Sequence, residues 1–165
     1  METKHIDEFD LYGFGWNLRT FTGIRPIRFL NRFNFLRKIF IQKHPSYKGK
    51  VEKKQDTLSK YKFCFCFENS VDIPGYISEK IWDCFFAGVV PIYLGAPNVL
   101  NYIPDNTFID YRKFNSYDDL YLFLKNISEK EYNQYIENIE KFLLSKQASI
   151  FSAEYFADKI IKEIL

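Results

Sequence analysis

YKFCFCFENSVDIPGYISEKIWDCFFAGVVPIYLG, residues 61–95, decides the fold. Tyr61–Asn69 is dense in β-forming side chains and stops at the polar pair Glu68–Asn69. Ser70–Gly75 follows with Pro74 and Gly75 as breakers and reads as a loop. Tyr76–Ala87 has helical spacing: Ile77, Ile81, Cys84 and Phe85 share one face, Gly88 is the stop signal, and Ser78 is an early helix residue or cap. Val89–Leu94 is nearly all apolar and ends at Gly95, as a parallel strand buried on both faces does. Strand, loop, helix, strand is βαβ grammar. It predicts an α/β fold: a mostly parallel sheet with flanking helices and right-handed crossovers. In such sheets ligands sit beyond the carboxyl ends of the strands, which puts Glu68–Tyr76 and Gly95–Asn98 at the ligand edge.

Downstream, Thr107–Asp110 predicts another short strand and Asp118–Asn126 a helix capped by Ser116. Ser128 with Glu131 three residues on is a capping box, opening a helix that runs to about Ser145. A last amphipathic helix covers Ser152–Ile164. Upstream, FDLYGFGW (Phe9–Trp16) alternates and then breaks at Gly13 and Gly15, a short strand followed by a turn. Arg28–Ile41 carries apolar residues at mixed spacing that include a helix, His44–Gly49 reads as a loop, and Lys53–Lys60 as a short helix.

The 165 residues suit one domain, and 47% hydrophobic against 27% charged residues describes a packed core, not a disordered chain. A net charge of +2 lacks the concentrated basic excess of nucleic-acid binders, so no nucleic-acid partner is expected. One stretch departs from that balance. Arg25, Arg28, Arg32, Arg37, Lys38, Lys43, Lys48, Lys50, Lys53 and Lys54 make positions 25–54 strongly basic. Two readings stand open: a solvated face, or a face that meets anionic membrane lipid or a diphosphate. Cys64 and Cys66, two apart on a strand, point to one face and act as small hydrophobes; with Cys84 they make an odd count that is no disulfide framework. His5 and His44 complete no metal-ligand set, so no metal is expected. A reducing compartment follows from the thiols, with a cytoplasmic location and peripheral contact at the inner membrane as the fuller expectation. The apolar run near Phe85–Leu94 is far short of a membrane span, and METKHIDEFD lacks the apolar core of a signal peptide.

The chemistry concentrates in FENSVDIPGYISEKIW, residues 67–82. A strand end delivers Glu68, Asn69 and Ser70 to the sheet edge, and the following helix carries Tyr76, Glu79 and Lys80 in its first turns. The positive end of a helix favours an anion such as diphosphate, and Lys80 adds a full charge. Glu79 can accept hydrogen bonds from sugar hydroxyls; Asn69 can donate and accept beside them. The competing reading is an Asn–Ser turn followed by a solvated Glu–Lys pair. Glu68 is a base or, more simply, an acceptor for a backbone loop. Asp118–Asp119 suggests a metal pair, yet Asp is favourable at any helix start. Gly95 and Ala96 are small enough for close approach of a ligand or for an ordinary turn. Trp16 and Trp82 read as packing residues.

Three segments, YKFCFCFENS, GYISEKIWDCFFAGVVPIYLGAPN and YIPDNTFIDYRKF, resemble in this order the carboxyl-terminal domain of the α-1,3-fucosyltransferases, glycosyltransferase family ten, most closely its bacterial members. DLYGFG (Asp10–Gly15) weakly resembles the family's preceding strand, and residues 114–165 match only in helical character. The resemblance implies a Rossmann-like sheet, the carboxyl-terminal half of a glycosyltransferase B fold. It makes 1–165 a single nucleotide-sugar-binding domain, with its core over 9–128 and carboxyl-terminal helices over 129–165. The activity implied is inverting transfer of fucose from GDP-fucose to a hydroxyl of an N-acetylglucosamine or glucose unit in a glycan, with no cofactor. By resemblance, Asn69 lines the donor site, Tyr76 lies near the phosphates or the fucose, and Glu79 holds the ribose. Lys80, the one residue given a catalytic role, neutralises the diphosphate. The family's amino-terminal acceptor domain, with its catalytic carboxylate, and a phosphate-binding arginine before the DLYG-like strand are expected to be absent from this chain. Arg19, Arg25 and Arg28 are substitutes for that arginine by charge alone. The alternative is a split or truncated module that holds a GDP-sugar without turnover, with another chain as the acceptor domain.

Overall fold

The computed structural model describes residues 6–14, 16, 21–33, 35 and 44–164. The chain packs as two compact units, Met1–Glu52 and Lys53–Leu165, and the division falls inside the stretch 9–128 that the sequence reading takes as one core.

In the first unit β1 (Leu11–Tyr12) and β2 (Tyr47–Gly49) pair in parallel, Leu11 beside Tyr47 and Tyr12 beside Gly49. The Tyr47 hydroxyl closes the pair by donating to the Gly13 carbonyl at 2.8 Å. His44–Gly49 is therefore not wholly a loop, as expected from its composition. A strand this short has no legible period, and its partner lies over thirty residues earlier, so only the pairing makes it a strand. Between them α1 (Arg25–Phe29) starts with Pro26 in its first turn and tightens into a 3-10 turn over Leu30–Arg32, several residues ahead of the expected start. Most of the remainder of the expected 28–41 helix lies outside the described residues.

The second unit opens with α2 (Lys54–Leu58) and is built on a parallel sheet of β3 (Phe63–Phe67), β4 (Val90–Leu94) and β5 (Ile109–Asp110), in that order. Phe63 pairs with Val90 through to Phe67 with Leu94, and Ile92 pairs with Ile109. β4 is central and buried from Val90 to Tyr93, which is why it reads as an unbroken apolar run. Pro91 is tolerated there for a geometric reason. The Val90 N–H faces β3, donating to the Lys62 carbonyl, so the next position turns to the β5 side, where the ladder begins only at Ile92. The expected strand over 107–110 shortens to β5, since Asp105–Thr107 is a 3-10 turn with the Thr107 hydroxyl on the Pro104 carbonyl.

The crossover from β3 to β4 runs through α3 (Glu79–Phe86), which buries Ile81, Cys84 and Phe85. It starts three residues later than its periodicity suggests, so Tyr76 and Ile77 precede the helix. Ile77 packs on the core from a turn, and a period cannot tell packed from helical. Gly88 (φ 68°) ends α3 in a Schellman arrangement: its N–H reaches the Phe85 carbonyl, and that of Val89 reaches Cys84.

α4 (Tyr117–Asn126), α5 (Glu129–Leu143), the short α6 (Lys146–Ser149), which the sequence reading did not anticipate, and α7 (Ala153–Ile164) complete the unit. α4 and α5 bring Leu120, Ile139 and Phe142 to the core, and Trp82 stacks on Phe142 at 5.9 Å, a packing role as expected. Ser116 caps α4 by accepting from the Asp119 N–H, and Ser128 with Glu131 forms the anticipated capping box on α5. Ser116→Ala is expected to cost about 1 kcal/mol of stability, read as a lower melting temperature. An unchanged melting curve would show that α4 is held by packing alone. The architecture is α/β with parallel strands flanked by helices.

Candidate functional site

The carboxyl ends of β3 and β4 and the start of α3 meet around one buried carboxylate. The Glu68 N–H carries the ladder one step further, onto the Leu94 carbonyl at 2.8 Å. The Glu68 side chain is fully buried, and both its oxygens go to one residue: Oε1 accepts the Ser78 N–H at 2.8 Å and Oε2 the Ser78 hydroxyl at 2.7 Å. Ser78 in turn accepts the Lys80 N–H as the cap of α3. Glu68 thus pins the helix start to the strand end, the structural role expected for it over that of a base.

Lys80 projects back across this joint. Its Nζ donates to the Phe67 carbonyl at 2.8 Å and to Asn69 Oδ1 at 3.0 Å, and lies 3.6 Å from Glu68 Oε2. An ammonium has three donors; this geometry uses two in hydrogen bonds and keeps a buried carboxylate within ion-pair range. Asn69 and Lys80, named separately from the sequence, are in direct contact. Lys80 is not an isolated charge, however, because Glu68 compensates it inside the protein. What remains at the edge is the part of the ammonium that water reaches, with 30% of the side chain exposed, together with the exposed Asn69 amide and the positive end of α3. Glu79 is exposed in the first turn of α3. Tyr76, expected on the helix, sits in the turn before it with its N–H on the Ile73 carbonyl, because Ser78 and not Tyr76 caps α3.

The second loop packs against the first. Gly95 is buried beside the Glu68 side chain and the Tyr93 hydroxyl. That hydroxyl accepts the Ala96 N–H at 3.0 Å, and burial pushes its pKa up to about 12, so it stays neutral. Asn98 Oδ1 accepts the Gly75 N–H at 2.7 Å and ties the loop before α3 to the loop after β4. Beyond β5, Arg112 Nε lies 2.8 Å from Asp110 Oδ1 and its Nη2 2.9 Å from Oδ2, a two-pronged pair that raises the Arg112 pKa further. Its other prong reaches the Ala96 carbonyl at 3.5 Å.

Asn98 closes the Gly95–Asn98 segment expected at the ligand edge, whereas its tie to Gly75 and the roles of Asp110 and Arg112 have no signal in the sequence. Asn98 meets Gly75 across 23 residues and Arg112 meets Ala96 across 16, and no local pattern encodes either contact. Of the arginines weighed as phosphate ligands, Arg25 and Arg28 belong to the first unit and Arg19 lies outside the described residues. Asp119 behaves as a helix start, with its N–H on Ser116. Cys64, Cys66 and Cys84 are free thiols. Cys84 beside it and burial push the Cys64 thiol well above its ordinary range, so it packs as a neutral group. Among the described residues, no group of three or more His, Cys, Asp or Glu is placed to hold a metal ion, and no helix is long and apolar enough to cross a membrane.

The family described as glycosyltransferase family 10 (fucosyltransferase), carboxyl-terminal, matches residues 34–161. An alpha-(1,3)-fucosyltransferase of Helicobacter pylori is 34% identical over 87 residues, which is 53% of this chain and 18% of that protein. GDP-fucose protein O-fucosyltransferase 3 of Xenopus tropicalis is 41% identical over 83 residues, covering 48% of this chain and 17% of that protein. A crystal structure of an alpha1,3-fucosyltransferase with GDP aligns with a TM-score of 0.49 at 32% identity, over 54% of this chain and 26% of that one. The match to these curated relatives spans less than a fifth of their length.

Proposed function

We propose that this chain, which belongs to glycosyltransferase family 10, the fucosyltransferases, is the donor-binding part of an enzyme that moves fucose from GDP-fucose onto a glycan hydroxyl. The observation that carries this reading is the Lys80 ammonium, held at 3.0 Å from Asn69 where β3 ends and α3 begins. A pyrophosphate laid across that joint meets a cation, an amide and the positive end of a helix together. GDP-fucose as the donor draws support from the name of the frog relative, which carries it.

In this mechanism the acceptor hydroxyl attacks the anomeric carbon of fucose from the face opposite GDP and loses its proton to a carboxylate. The bond to the β-phosphate oxygen breaks and charge gathers on GDP. Lys80 and the start of α3 are already in place where that charge develops, which is what lowers the barrier. Because Glu68 offsets Lys80 within the fold, the resting site is close to neutral, and GDP, which gains a third negative charge as the bond breaks, leaves without a large penalty. Asn69 fixes the ammonium and turns its own amide outward to the donor. Glu79 accepts from the ribose hydroxyls, and Tyr76 stands in the turn beside them. The acceptor is an N-acetylglucosamine or glucose unit of a glycan.

Titration calorimetry on the whole chain tests the reading. GDP and GDP-fucose are expected to bind with similar affinity, and UDP-galactose not at all. Glu79→Gln is expected to weaken both by about tenfold, the size of one charge-assisted hydrogen bond. If neither guanine nucleotide binds, or UDP-galactose binds equally well, the donor assignment falls.

A further inference from the structure

Leu11–Val51 holds nine Lys and Arg side chains and no Asp or Glu. The proposed transfer reaction uses none of them. Within this stretch residues 21–33 are tied into a closed turn: the Phe21 N–H donates to Asn31 Oδ1 at 2.8 Å, and Asn31 Nδ2 returns a bond to the Phe21 carbonyl at 2.9 Å. α1 lies inside that turn and buries none of its residues. Large apolar side chains in and beside it face out instead. Ile24 is 68% exposed, Phe29 51%, Phe33 48% and Phe35 73%. Arg25, Arg28 and Arg32 are exposed among them, with the Arg32 guanidinium 5.5 Å from the Phe29 ring centre.

A merely solvated basic face has no use for outward isoleucine and phenylalanine. A face meant for a second copy of this chain would bring like charges together, since no carboxylate lies in the stretch to oppose them. Interleaved aromatic and cationic side chains fit a bilayer surface: the rings enter the boundary between headgroups and acyl chains, and the arginines stay at the phosphates. We propose that residues 24–33, with Phe35, form a peripheral membrane-binding face that selects anionic lipid. Its charge complements such a surface, with each Arg worth roughly fivefold in partitioning near it.

Co-sedimentation of the whole chain with vesicles is the test. Binding is expected to phosphatidylcholine vesicles that contain about a third phosphatidylglycerol, and to be at least tenfold weaker to phosphatidylcholine alone. Salt is expected to weaken it. Arg25→Gln/Arg28→Gln/Arg32→Gln and Phe29→Ser/Phe33→Ser are each expected to lower binding about tenfold or more, and in Phe29→Ser/Phe33→Ser GDP affinity is expected to stay unchanged. Lys141→Gln/Lys162→Gln, on the helices of the second unit, serves as the control that leaves binding intact. Equal binding to neutral and anionic vesicles by the unmodified chain, or binding insensitive to both groups of substitutions, overturns the proposal. So does self-association through this face in sedimentation equilibrium. The lipid comparison on the unmodified chain stands even if a substituted chain fails to fold.

Discussion

Lys80→Met is expected to weaken GDP binding by about one to two orders of magnitude, the worth of a hydrogen-bonded charge on a phosphate. The same change is expected to lower stability, and here the structure alters what the sequence suggests. Read as a solvated side chain, Lys80 could be removed at little cost to folding. In the fold it stands 3.6 Å from a carboxylate that is fully buried. Breaking a buried pair from one side costs about 3–5 kcal/mol, because the remaining charge is stranded. Lys80 keeps 30% of its side chain in water and Glu68 keeps both Ser78 bonds, so a smaller loss is expected, about 1–3 kcal/mol. The two effects separate in Glu68→Gln/Lys80→Met. Glutamine still accepts the Ser78 N–H and donates to its hydroxyl, and no charge is stranded, so the melting temperature is expected to recover while GDP affinity stays low. Chemical denaturation and calorimetry on the two variants decide it. If Lys80→Met binds GDP as tightly as the parent, the ammonium is a fold element only and the donor site lies elsewhere.

Gly95→Ala is expected to be severely damaging for a single added methyl group, at about 3–5 kcal/mol. An added Cβ would meet the Tyr93 hydroxyl within contact distance and stand 2.6 Å from Glu68 Cγ. Neither neighbour can give way cheaply. Tyr93 is fully buried against Phe108 and holds the Ala96 N–H, and Glu68 is fastened at both oxygens by Ser78. Relief requires breaking one of these buried hydrogen bonds as well as shifting the loop. Gly88→Ala is the matched comparison. Gly88 has φ 68° but nothing within 4 Å of an added Cβ, so that change is expected to cost only about 1 kcal/mol of backbone strain. Equal melting temperatures for the two variants would show that the Gly95 packing is looser than described.

Much of this site is legible in the sequence because its parts lie close together along the chain. Glu68, Asn69, Ser78, Glu79 and Lys80 fall within thirteen positions, and a strand end followed by a capped helix start has local signals: β-forming side chains, Pro–Gly, a serine, and a helical period. Asn69 and Lys80 could be named without coordinates for that reason. Their contact could not, since helical spacing says which face a lysine occupies and not how far it reaches back across a strand. The sequence offers Ser78 as an early helix residue or as a cap, and the fold decides for the cap, which leaves Tyr76 outside the helix. The β2 strand, the Asn98 tie to Gly75 and the reach of Arg112 to the Ala96 carbonyl stayed invisible, each being a pairing with a partner far away in sequence.

From the sequence alone came the class of fold and the place where chemistry belongs, because hydrophobic period, breakers and caps are short-range properties that each segment carries with it. The tertiary structure alone decided how charge is distributed at that place. Glu68 and Lys80 compensate each other only because β3 and α3 pack so that a strand-end carboxylate becomes fully buried beneath a helix start, and burial is a property of the assembled chain.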